Sequence, residues 1–190
     1  MQPDTIFDVA SITKLFTATV LMSLVEDGLL ALDEPIAEHL PSFATDDRRA
    51  VTLRLLLSHM SGLPDLLRLW TDWPDRQSRR DAVLATPLRH APGTVFEYSC
   101  IGYIVAGFLA ERVSGRPLHE LIRDRVCRPL GLRDTGHLPP ADRIERIAAT
   151  EHQPEAGRGM VRGSVHDENA WSLGGTVGNA GLFSTAADLA

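Results

Sequence analysis

The longest run of apolar positions lies near the start of the chain. In SITKLFTATVLMSLVED (11–27) apolar residues fall almost all round the helical turn, with no Gly or Pro among them. That pattern predicts a buried helix, closed by Gly28 just past its end. The cleanest period comes later. Ile101, Ile104, Val105, Phe108, Leu109 and Val113 follow i, i+3, i+4, i+7, i+8 and i+12, which predicts an amphipathic helix stopping near Gly115. Pro117 then opens another helix through Leu118, Leu121, Ile122 and Val126, ending before Pro129. Shorter helices are predicted near Pro35, over 52–58 and, with a polar face, over 76–85, and a last one from Ser184 with Ser184 or Thr185 as cap. Residues 66–75 carry Leu66, Leu67, Leu69, Trp70 and Trp73 with no clean period, as core or as an apolar wall. From Gly131 to Gly181 the chain is rich in Gly, Pro, Asp and His, which predicts a long loop region that is functional or rests on a scaffold not visible locally. Few segments alternate as strands do, so the fold class is expected to be mainly α.

Composition excludes several classes. The 190 residues are 44% hydrophobic and 23% charged with a formal net charge of −6, which fits a globular chain and argues against a nucleic-acid partner. Cys100 and Cys127 are too few for a disulfide scaffold or a structural zinc site. The apolar stretches are too short to span a bilayer, and Met1 is not followed by a basic and then apolar leader, so no signal peptide is read. His59, His137, His152 and His166 show no metal-ligand spacing, and no glycine-rich phosphate loop accompanies a candidate Schiff-base lysine. No cofactor and no metal ion are expected.

One count is sharper: of the 19 basic residues, Lys14 is the only lysine. Arginine does not give up its proton in a protein, whereas a desolvated lysine does. Ser11 stands three residues earlier, which puts the two side chains on one helix face about a turn apart. A neutral amine in reach of a serine hydroxyl can take its proton. The structural alternative is that Ser11 caps the helix and Lys14 is solvated. Tyr98, in EYSCIGY (97–103), lies just before the periodic helix, either aimed into a cleft as a general base or packed as a boundary aromatic. Cys100 beside it reads as a reactive thiol or a buried helix-start cysteine.

Taken together these segments resemble the serine β-lactamase-like hydrolases, the group of class C β-lactamases, D,D-peptidases and related esterases. FDVASITKLFTA (7–18) looks like the family's S-x-x-K segment, and VTLRLLLSHMSGLPD (51–65) is similar to its helix-and-loop signature. PGTVFEYSCIGYIVAGFLAERVSG (92–115) resembles the Tyr-x-Asn segment, and GLFSTAADLA (181–190) the stretch before the last helix and strands. SVHDENAWSLGG (164–175) is similar to penicillin-binding-protein-like and esterase-like members. The resemblance implies that Ser11 is the acylated nucleophile, Lys14 its partner in proton transfer, Tyr98 the general base or acid, and the Ser11 backbone N–H one oxyanion donor.

This chain departs from the family pattern in two places. Cys100 stands where the family usually has Asn, and a thiol cannot hold a substrate amide as a carboxamide does. The Lys/His-Thr/Ser-Gly motif has no counterpart here. The expected architecture is therefore the helical domain and active-site helix of the β-lactamase/transpeptidase-like α/β fold with most of its antiparallel sheet missing. Residues 1–190 would form one incomplete domain: active-site helix 11–27, helical and loop region 28–175, and 176–190 leading toward missing strands. The function expected is hydrolysis through an acyl-enzyme on Ser11, with Cys100 at the substrate-orienting position and a small-molecule ester as substrate. The alternative within the class is an amide, cleaved by a D,D-peptidase or β-lactamase. The competing class is a truncated, non-catalytic binding module. An apolar surface left uncovered by absent strands would favour self-association.

Overall fold

The computed structural model describes residues 1–190. The chain enters through a two-residue strand, β1 (Phe7–Asp8), turns through a 3-10 segment (Ala10–Ile12) and continues into α1 (Thr13–Glu26). The helix predicted over 11–27 thus begins two residues later, and Ser11 lies in the tight turn ahead of it. Ser11 does not cap α1, because no side chain accepts a bond at that end. Gly28 stops the helix as expected. Its φ of +73° lets its N–H reach Val25 O (3.0 Å) and the Leu29 N–H reach Leu24 O (2.9 Å).

Two 3-10 turns (Ile36–Glu38 and Pro41–Phe43) stand where one brief helix is expected. Then come α2 (Leu53–Leu57), capped by Thr52, α3 (Leu69–Asp72), and α4 (Arg76–Ala85), opened by a reciprocal Asp75–Ser78 capping box. The Leu/Trp stretch divides: Leu69 is buried, Leu66 is exposed, and Trp70 and Trp73 are half-buried.

The helix α5 (Cys100–Ser114) corrects the amphipathic expectation. Ile101 through Ala110 are buried without interruption. Gly102, Ala106, Gly107 and Ala110 supply a second face small enough for neighbours to close on. A Cβ at Gly107 would lie 3.0 Å from Gly178 N and 3.1 Å from Leu118 Cδ2. After α6 (Leu118–Ile122) the helix does not end before Pro129 but runs through a π turn (Arg123–Cys127) into α7 (Arg128–Leu130). The Arg128 N–H reaches back five residues to Arg123 O. This wider turn falls where Pro129, having no N–H, forgoes an ordinary helical bond.

The region 131–181 holds β2 (Gly136–His137), a 3-10 turn (Ala141–Arg146) and α8 (Glu168–Ser172). Its scaffold is a set of side-chain bonds rather than a period. Asn169 bridges Leu69 N and Leu67 O (3.0 and 2.8 Å), Arg158 donates to Val165 O and His166 O (2.6 and 3.1 Å), and Asp8 accepts the His166 N–H (2.7 Å). The last elements are β3 (Leu182–Ser184) and α9 (Ala186–Leu189), the latter capped by Thr185 rather than Ser184.

The three short strands pair antiparallel in the order β1-β3-β2, with Phe7 opposite Ser184 and His137 opposite Leu182. A small antiparallel sheet therefore accompanies the helices. Its strands are too short for alternation to show in the sequence.

The core joins α1, α2, α5 and α6, and α1 packs directly on α5. On its outer side α1 leaves Leu15 and Met22 exposed, Leu15 by 67%, beside the exposed Ile12 of the 3-10 turn before it. Ile12 and Leu15 border an apolar groove of about 720 Å³ that also meets Leu130, Leu132 and Leu189. The all-round burial expected of this helix is not what forms. No helix is long and apolar enough to cross a membrane.

Candidate active site

Three segments converge at the start of α1. The first is the turn that carries Ser11. Ala10 adopts φ +45°, an unfavourable value for a residue with a side chain, and its N–H is held by Asp8 Oδ1 at 2.8 Å. Val9 N–H is anchored on Leu182 O at 3.0 Å. This elbow swings the chain from β1 into α1 and leaves Ser11 exposed. Backbone strain of this kind costs on the order of 1–3 kcal/mol and concentrates at functional sites.

One helical turn on, Lys14 is only 4% exposed. Its Nζ lies 2.9 Å from Ser11 Oγ, 3.0 Å from Asn179 O and 3.6 Å from Cys100 Sγ. These three acceptors match the three protons of an ammonium group. The solvated-lysine alternative does not hold.

The second segment is the approach to α5. Tyr98 is exposed, and Lys14 Nζ lies 5.0 Å from the centre of its ring. Ser99 is the helix cap: its buried hydroxyl donates to Pro64 O (2.6 Å) and accepts the Gly102 N–H (2.8 Å), so it is fully engaged. Cys100 is half-buried, and its N–H is held by Asp65 O at 3.0 Å. Burial pushes its thiol above the usual range. The charge of Lys14 pulls it back and that of Asp167 raises it again. A thiol held neutral is a poor nucleophile.

The third segment, 174–181, is not legible in the sequence as part of the site. Asn179 offers its carbonyl to Lys14, and Gly178 O accepts the Thr17 hydroxyl at 3.0 Å. Gly178 fits so closely that a Cβ there would collide with the Tyr103 carbonyl oxygen. The Asn179 side chain is fully buried with no hydrogen-bond partner on Oδ1 or Nδ2. The only sequence signal is the clustering of glycines in this stretch.

His59 carries no chemical signature in the sequence beyond its place in the helix-and-loop segment. Its ring centre is 4.4 Å from that of Tyr98 and 5.0 Å from that of Tyr103. No group of three or more His, Cys, Asp or Glu side chains is placed to hold a metal ion.

Ser11, exposed on a strained elbow, and Lys14, buried in the first turn of the helix that follows, thus face each other across 2.9 Å. The family model described as Beta-lactamase matches residues 1–190, and the chain belongs to that family. It is 34% identical over 215 residues to a protein named putative D-alanyl-D-alanine carboxypeptidase from Escherichia coli K12, covering 98% of this chain and 49% of that relative. Among solved structures, D-amino acid amidase from Ochrobactrum anthropi SV3, complexed with L-phenylalanine amide, superposes with a TM-score of 0.75 at 33% identity. That match covers all of this chain and 55% of the amidase. A class C β-lactamase from Rhodobacter sphaeroides superposes with a TM-score of 0.77 at 26% identity, over 100% of this chain and 50% of that one. The chain thus spans about half the length of the relatives it matches.

Proposed function

We propose that the protein carrying these residues hydrolyses amides of D-amino acids through an acyl-enzyme on Ser11, as a D,D-carboxypeptidase or D-amino acid amidase would. The observation that carries this reading is the 2.9 Å approach of Ser11 Oγ to the Nζ of a buried lysine. In its amine form Lys14 keeps two protons on Asn179 O and Cys100 Sγ and turns its lone pair toward Ser11. Oγ attacks the substrate carbonyl carbon as its proton passes to Nζ. The negative charge that develops on the carbonyl oxygen falls beside the Ser11 backbone N–H. Tyr98, whose ring centre lies 5.0 Å from Lys14 Nζ, gives its phenolic proton to the leaving amine as the C–N bond breaks and regains one from Lys14. Water then adds to the acyl carbon, the ester bond to Ser11 breaks, and Oγ recovers a proton from that water.

The names borne by the carboxypeptidase and amidase relatives favour an amide over the simple ester expected from the sequence. The ester remains the second reading because Cys100 faces Lys14 where a carboxamide would orient a substrate amide.

The test is to incubate the native protein with a fluorophosphonate and with a labelled penicillin, then map the adduct. A single adduct on Ser11, absent in Ser11→Ala, is the expected result. An adduct on Ser99, or labelling that survives Ser11→Ala, overturns the assignment. No adduct and no turnover would favour a non-catalytic binding module. Turnover of D-alanine-terminated peptides or D-phenylalanine amide ahead of p-nitrophenyl esters supports the amide reading, and the reverse order favours the ester.

A further inference from the structure

His59 follows α2 in a left-handed conformation, with φ +59°. The helix end sets this geometry: the His59 N–H bonds back to Leu56 O (3.2 Å) and that of Met60 to Leu55 O (2.8 Å). A non-glycine residue pays steric energy to sit there. The turn aims two acceptors of one residue at the same neighbouring segment. The His59 carbonyl accepts the Glu97 N–H at 2.9 Å, and the imidazole Nδ1 accepts the Ser99 N–H at 3.0 Å. Tyr98 is the residue between them. The imidazole also covers the Tyr98 ring at 4.4 Å with the planes 32° apart, and meets the edge of Phe96 at 6.0 Å. Tyr103 lies 5.0 Å from the imidazole, its hydroxyl fixed on Leu57 O at 3.1 Å.

We propose that His59 is the positioning residue for Tyr98, clamping the backbone on both sides of it and its ring, and that the clamp closes only while the imidazole is neutral with its proton on Nε2. An Nδ1 that accepts from Ser99 carries no proton. A second proton would set two donors against each other and place a cation near Lys14. The groups that face His59 are Lys14 from α1, Tyr103 from α5, and Tyr98 and Glu97 from the clamped segment. The Glu97 carboxylate is itself engaged by Arg89 at 2.7 Å and His90 at 3.3 Å. Burial first, and then the charge of Lys14, hold the imidazole below its ordinary pKa, so the neutral form prevails at neutral pH. The clamp is therefore complete above that pKa and opens as the pH falls through it.

The kinetic part of this inference rests on the role proposed for Tyr98. The structural part does not, and the experiment separates them. Long-range 1H–15N spectra of the native protein should show His59 as the Nε2–H tautomer at pH 7.5. The Tyr98 ring resonances should shift together with the His59 titration as the pH is lowered. A His59 proton on Nδ1, or Tyr98 resonances that ignore the titration, would overturn the clamp whether or not the protein turns over substrate. For turnover, His59→Phe keeps an aromatic face but removes the acceptor. A loss of ~10-fold or more in kcat with KM little changed is expected, since small misplacements of a catalytic group are costly. His59→Asn keeps a short acceptor and tolerates the left-handed backbone. It should recover most of kcat and lose the acid limb that His59 contributes. Wild-type kcat in His59→Phe, or an unchanged acid limb in His59→Asn, would remove His59 from the placement of Tyr98.

Discussion

The two long helices that meet at the site invert what their sequences suggest. α1 is apolar almost all round and yet exposes Leu15 and Met22, whereas α5, with an apolar stripe of regular period, is buried through ten consecutive residues. The difference lies in what each helix offers its neighbours. α5 sets Gly102, Ala106, Gly107 and Ala110 opposite its large residues, and at Gly107 the loop carrying Gly178 comes within contact of the backbone. α1 has no such seam on its outer side. Its buried side holds Thr13, Lys14 and Thr17, which bond to Leu182 N, Asn179 O and Gly178 O. Burial is a property of paired surfaces, and the polar face of α1 is inside because the 178–182 backbone supplies partners for it.

The largest effect that would sharpen this contrast comes from the buried face of α1. Lys14→Arg keeps the positive charge but removes a group able to accept a proton. Acylation of Ser11, followed as burst amplitude and rate with a chromogenic β-lactam or activated ester, should fall at least ~10²-fold. Near-normal acylation would make Lys14 a structural cation.

A smaller effect is expected where α5 is most closely packed. Gly107→Val would thrust a branched side chain against Gly178 and Leu118, and overpacking of this kind costs about 1–3 kcal/mol. Denaturant melts should register that loss, and because Gly178 adjoins Asn179 the Ser11-directed labelling should slow with it. Unaltered stability would mean that the seam is looser than the distances imply.

The smallest effect on stability belongs to the exposed face of α1. Leu15→Glu should change stability by no more than about 0.5 kcal/mol, as surface substitutions usually do. It should also reduce binding of a hydrophobic dye and any self-association of the 190-residue chain, both measurable by fluorescence and sedimentation. A large loss of stability would show that Leu15 is covered in solution.

The features set by the sequence alone are those whose causes lie within a turn or two. The Ser11–Lys14 spacing, the stop at Gly28 and the cap at Thr185 depend on bonds spanning three to five residues, so residue type and period announce them. Helix identity follows for the longer segments, α1, α4, α5 and the run from α6 to α7, where only the ends differ, as where a π turn carries the chain through Pro129; α3 and α8, of four and five residues, are too short to show a period. The tertiary structure decided the rest of the site. Lys14 meets Cys100 across 86 residues and Asn179 across 165, while His59 reaches Ser99 across 40. Such bonds leave no periodic trace, and strands of two or three residues are too short to show one. Which side of α1 is wet was likewise settled by its partners, because a side chain's own hydrophobicity states a preference for burial but not whether another surface arrives to satisfy it.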